Sequence, residues 1–89
     1  MLQYDVVDNY VERRAPYRDQ HLKLAQEAHR RGELLLAGAF ADPADGAALV
    51  FKADDVSLVE RFVAVDPYVK AGLVKSWKAR KWAVVVGGD

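Results

Sequence analysis

The sequence predicts an α+β domain whose elements run strand, helix, strand, strand, helix, strand. Three observations carry that prediction. Leu2 to Val7 alternates, with Leu2, Tyr4 and Val6 on one face, as a half-buried strand does. Tyr17, His21, Leu24, Ala25 and Ala28 fall in one sector at the 3.6-residue period, with Asp19, Lys23, Gln26, Glu27 and Arg30 opposite. Two further apolar runs, Glu33–Phe40 and Ala47–Lys52, flank the turn composition Asp42-Pro43-Ala44-Asp45-Gly46 and read as a hairpin.

Each element has its own punctuation. Asp8-Asn9 breaks the first strand, and Tyr10 to Ala15 reads as a charged connection. Pro16 suits the first turn of the helix, where its missing N–H costs nothing. Arg30 and Arg31 complement the dipole in the last turn, and Gly32 supplies the left-handed stop. Glu33 to Phe40 is apolar on both faces, which predicts a strand in the middle of the sheet. Asp54-Asp55 signals an N-cap for a helix marked by Val56, Val59, Phe62 and Val63. Asp66-Pro67 ends that helix and begins one further turn over Tyr68-Val69-Lys70, before Gly72. Leu73 to Val86 reads as a long last strand, and Gly87-Gly88-Asp89 as a tail.

The element order is that of a ferredoxin-like βαββαβ domain: a four-stranded antiparallel sheet with two helices on one face. The 89 residues form a single domain, spanning 1–89. Helices cover one face only, so Val7, the Leu34–Leu36 run and the tryptophans of the last strand need another cover. A second copy packed through the open face provides it, and a homodimer is expected.

Composition narrows the function. Hydrophobic residues make up 52% of the chain, which is the signature of a globular protein. Thirteen basic residues balance thirteen acidic ones, against a nucleic-acid partner held by counterion release. "KSWKARKW" interleaves cations and aromatics, but a strand there puts one tryptophan on each mixed face, which suits packing better. With no cysteine there is neither a disulfide nor a thiolate metal site. His21 and His29 stand about 12 Å apart along a helix, too far to share a metal, so no metal and no cofactor are expected. The first apolar run is broken by Gln3 and Asp5, against a secretory signal, and no stretch reaches membrane-spanning length. A cytoplasmic location is expected.

Two residues stand out chemically. His21 places an imidazole where an aliphatic side chain would pack, with Arg18 beside it one turn earlier. It is either a satisfied core histidine or a base at the mouth of a cleft. Asp66 is either a plain N-cap before proline or a partner for His21. Spacing alone does not join them.

The order and spacing of "RAPYRDQHL", "LLLAGAF", "DPYVKAGL" and the ending "RKW" resemble the YCII-related (YciI-like) family, over nearly the whole chain. That resemblance implies a dimeric α/β barrel built from ferredoxin-like subunits. It also implies a pocket in which the helix histidine, His21, meets the aspartate of the DPY motif, Asp66, as the catalytic pair. Arg18, Gly38 and Tyr68 match positions expected to bind substrate. Lys81 replaces a proline in the family's terminal motif, and "ADPADGAA" is shorter than in many relatives.

The expectation is thus a homodimeric, cofactor-independent enzyme of lyase or isomerase type acting on a small molecule. His21 and Asp66 would move protons in an elimination, dehydrochlorination or isomerisation. The alternative is a non-catalytic metabolite-binding or accessory module with the same architecture. The substrate and the pathway are not legible.

Overall fold

The computed structural model describes residues 1–41 and 43–87. Strand β1 (Leu2–Val6) leads through a one-turn helix, α1 (Tyr10–Arg13), and a 3₁₀ turn (Ala15–Tyr17) into helix α2 (Arg18–Arg30). Strands β2 (Leu34–Ala39) and β3 (Gly46–Phe51) follow, then α3 (Ser57–Val65), the single turn α4 (Pro67–Lys70) and β4 (Val74–Ala79). The sheet order is β2-β3-β1-β4, and every pairing is antiparallel. β1 and β2 point the same way with β3 between them, which is the split βαβ arrangement of the ferredoxin-like fold.

Register fixes the two faces. Tyr4 lies opposite Ala47 on one side and Trp77 on the other, while Ala47 pairs with Ala39. This row faces the helices, together with Leu2 and its partner Leu49. Gln3, Ala48, Gly38 and Lys78 form the alternate row, on the open face. Leu2, Tyr4, Val6 and Leu49 are buried against Ala25 and Ala28 of α2, Val59, Phe62 and Val63 of α3, and Tyr68 and Leu73. Each such aliphatic or aromatic side chain contributes about 1.5–3 kcal/mol on leaving water.

The helix ends follow local chemistry. Gly32 adopts φ 80°, and its N–H bonds the His29 carbonyl, closing α2. Asp55 takes the Ser57 N–H at 2.8 Å and also accepts from the Ser57 hydroxyl, which holds its carboxyl below the usual range. Gly46 sits against the crossing with β1, where a Cβ would lie 2.7 Å from the Tyr4 carbonyl oxygen. Only glycine lets the two backbones come that close.

Four expectations are corrected. Tyr10–Ala15 is not a bare connection: Tyr10 begins α1 and is buried, after Asn9 turns the chain at φ 63°. β2 is an edge strand rather than a central one, because β3 inserts between it and β1. Its apolar run is therefore split, with Leu34 in the core and Leu36 71% exposed. The last strand ends at Ala79 instead of Val86, and residues 80–87 have no regular structure. There Arg80 and the N-terminus exchange hydrogen bonds, and Trp82 and Val84–Val86 stand exposed beyond the sheet. Finally, Val7 packs on the core and Trp77 shares the helix-side row at a sheet edge, so neither belongs to the open face. The expected turn residue Asp42 and tail residues Gly88 and Asp89 lie outside the described residues.

Candidate active site

The junction between α3 and α4 carries the most demanding residue of the interior. Val65 ends one helix and Pro67 starts the next, so Asp66 is extended, with φ −67° and ψ 121°. Its side chain turns back and accepts the Tyr68 N–H at 3.0 Å, as an N-cap. The carboxylate is 0% exposed. A charge so placed is unfavourable by several kcal/mol unless other donors reach it.

Two donors arrive from distant elements. Helix α2 brings His21, whose Nδ1 lies 2.8 Å from Asp66 Oδ1. Strand β1 brings Tyr4, whose hydroxyl donates to Asp66 Oδ2 at 2.7 Å. Among the described residues no buried side-chain nitrogen or oxygen lacks a partner. Burial first, then the Asp66 charge and its hydrogen bond, push the Tyr4 phenol far above its ordinary value. Tyr4 is therefore a fixed neutral donor.

An ionised carboxylate only accepts, so the His21 Nδ1 carries the proton it donates. Nε2 is then left as the basic nitrogen. No described residue hydrogen-bonds it, and the His21 side chain retains 14% exposure. The Tyr68 ring stacks on the imidazole at 3.9 Å and 9°, which fixes the plane in which Nε2 points. Tyr10 meets Tyr68 edge-on at 5.7 Å, and the Arg14 guanidinium lies 5.1 Å from the centre of the Tyr10 ring. Burial and Tyr10 raise the Tyr68 phenol, while Arg14 and Arg18 pull it back down.

The structure brings together His21, Asp66 and Tyr68. Arg18 lies at the start of α2, exposed, with its charge felt at the Tyr68 hydroxyl. Gly38 does not join them: it alternates to the open face, with the sheet between it and His21, and a Cβ there would meet nothing within 4 Å. Sequence reasoning missed Tyr4 as a site residue and read Tyr10 as part of a connection. The available signal was Tyr4 itself, because a phenol on a core-facing strand position requires a buried acceptor.

Five of the surface clefts, of about 280 to 540 Å³, are lined by residues other than His21. His29 Nδ1 donates to the Leu34 carbonyl oxygen, 2.8 Å away, and no cluster of metal-ligating side chains occurs among the described residues. Nor is any described helix long and apolar enough to cross a membrane.

A ferredoxin-like domain that holds a helix histidine on a buried aspartate defines the class: a small α+β domain with a hydrogen-bonded His–Asp pair. The chain belongs to the YCII-related domain family, whose family model matches residues 1–83. No curated protein matches the sequence. Among solved structures it is similar to 5-chloro-2-hydroxyhydroquinone dehydrochlorinase (TftG) from Burkholderia phenoliruptrix AC1100, solved in complex with 2,5-dihydroxybenzoquinone. The TM-score is 0.75 at 20% identity, covering 93% of this chain and 94% of that one, a likeness of fold.

Proposed function

We propose that this chain is a small-molecule enzyme in which His21 transfers a proton through Nε2 and Asp66 orients and balances it. The observation that supports the reading is the bond from His21 Nδ1 to a fully buried Asp66, with Nε2 left open. The carboxylate holds one tautomer while the ring is neutral and stabilises the imidazolium once Nε2 has taken a proton. Such general acid–base catalysis contributes roughly 10²–10⁴-fold. Eliminations, including loss of chloride from an activated ring, and isomerisations fall within its reach. The structural neighbour acts on a chlorinated hydroxyhydroquinone, which makes such rings the first compounds to assay.

In this reading Arg18 and Tyr68 contact substrate, no cofactor takes part, and the protein acts in the cytoplasm as a homodimer. The dimer has a physical motive. The chain exposes 6225 Å², whereas a folded monomer of its 9.9 kDa exposes roughly 5,200 Å². Pairing through the open face would cover Leu36, and it is also the one way for Gly38 to border a bound substrate.

The test is turnover of halogenated hydroquinones and of enolisable small acids by His21→Gln and Asp66→Asn. Both variants should lose at least a hundredfold in kcat while keeping the wild-type sedimentation coefficient. Normal turnover in both overturns the dyad. A binding-only module is the second reading, favoured by His21 Nε2 having no second base or nucleophile hydrogen-bonded to it among the described residues. It predicts ligand binding with no turnover by the wild type.

A further inference from the structure

We propose that Arg14 and Arg18, beside the Tyr10–Tyr68–His21 row, form an anion subsite that takes a small organic acid as its monoanion. The proposal rests on the proton-transfer reading of this site and names the substrate class for it. Arg14 opens the motif "RAPYRDQHL", which assigns it no role of its own.

The geometry is a contiguous row. His21 stacks on Tyr68, Tyr10 meets Tyr68 edge-on, and the Arg14 guanidinium covers the Tyr10 ring. A guanidinium lying on an aromatic face keeps its N–H donors in its own plane, free to fork a carboxylate or phenolate. Arg18 begins α2 three residues before His21, on the same side of the helix. Both cations also act to lower the Tyr68 hydroxyl against burial and Tyr10.

Neither charge is already spent. Among the described residues the ion pairs are His21–Asp66, Arg31–Glu33 and Lys75–Asp5, so Arg14 and Arg18 lie within 4 Å of no described carboxylate. Nor does any described residue hydrogen-bond the Tyr68 hydroxyl. Asp66 is the acid nearest the row, and its oxygens are taken by His21, Tyr68 N–H and Tyr4. With His21 neutral, two guanidiniums against one carboxylate leave one net positive charge at the mouth. A molecule that brings one negative charge cancels it.

The test is binding of 4-hydroxybenzoate against the uncharged 4-hydroxybenzamide, followed by NMR on the intact chain. The acid should shift the resonances of His21, Tyr68, Arg14 and Arg18 and bind at least tenfold more tightly than the amide. Half-molar sodium chloride should weaken the acid alone. In the Arg14→Gln/Arg18→Gln double variant the acid should lose at least tenfold with the amide unchanged. The Arg14→Lys/Arg18→Lys variant, which keeps charge but loses the fork, should fall between. Equal affinity for acid and amide, no binding of the acid, or an unaffected double variant each overturns the subsite. His21→Gln separates the two readings, because it should bind the acid within threefold of wild type while abolishing turnover. Loss of the subsite alone leaves the dyad standing, and normal turnover in His21→Gln removes the dyad alone.

Discussion

His21 Nδ1 and Asp66 Oδ1 stand 2.8 Å apart although 45 residues separate them in the chain. The contact exists because α2 and the α3–α4 junction cover the same face of one sheet. Asp66→Asn tests what the charge contributes, since the amide keeps the shape. The amide oxygen can still accept from Tyr68 N–H and His21, now as a neutral group, but the NH₂ then faces the Tyr4 hydroxyl, which must give up its donor role. We expect a stability loss of about 1–3 kcal/mol, read by urea denaturation. We also expect the His21 ring to lose its single tautomer, read from its ¹⁵N shifts.

Asp66 also shows how far a sequence can be read. Its two readings, helix cap and histidine partner, are both realised, because one oxygen accepts from Tyr68 N–H and from His21. The β1 alternation and the α2 stripe were legible because each is set by a local period. The central placement expected for β2 failed because strand order depends on which strand inserts between two others, and a doubly apolar run cannot report that. The long last strand failed for a related reason: Trp82 to Val86 is strand-like in composition but has no neighbour to pair with in its own chain. Tyr4 was read as packing alone because its acceptor lies 62 residues away.

Tyr4→Phe keeps the ring and removes one donor from a buried charge. Asp66 Oδ2 then has no described donor, and a hydrogen bond to a charged group is worth about 1.5–3 kcal/mol. Urea denaturation should show a loss of that order. No loss would mean that the phenol packs without acting on the carboxylate.

Alkaline stability follows from the same tyrosine. Burial raises Tyr4, and to a lesser degree Tyr68, above the ordinary tyrosine value of about 10. A folded-state value above the unfolded one means the unfolded chain releases its proton first as pH rises. The stabilisation is therefore whole below pH ~10 and declines above it, toward the folded-state value. Melting temperature recorded from pH 8 to 11.5 should fall at the alkaline end, and less steeply in Tyr4→Phe than in wild type.

Gly46→Ala couples the fold to the site. The new Cβ would stand 2.7 Å from Tyr4 O and 2.9 Å from Phe40 Cδ2. A side chain could turn away, but the carbonyl belongs to the strand that carries the Tyr4 hydroxyl to Asp66. Overpacking of this kind costs about 1–3 kcal/mol, and the displaced strand should also perturb the His21 resonances. Gly38→Ala is the control: on the single chain its Cβ meets open space, and the ring signals should stay in place.

Leu36→Glu tests the proposed second copy. Leu36 pairs with Val50 in the register of β2 and β3 and projects 71% exposed, and Phe40, just past the end of that edge strand, is also open to water. A stable dimer needs roughly 800 Å² from each partner. A carboxylate at the centre of a two-fold interface meets its own copy, so repulsion adds to desolvation. Sedimentation equilibrium should show the wild type as a dimer and the variant weakened at least tenfold in association, while the His21 ring signals stay in place. A wild type that sediments as a monomer at micromolar concentration sinks the open-face dimer, and with it any role for Gly38 at a bound substrate. The bond between His21 and Asp66 would be untouched by that outcome, because every donor to the carboxylate comes from a single chain.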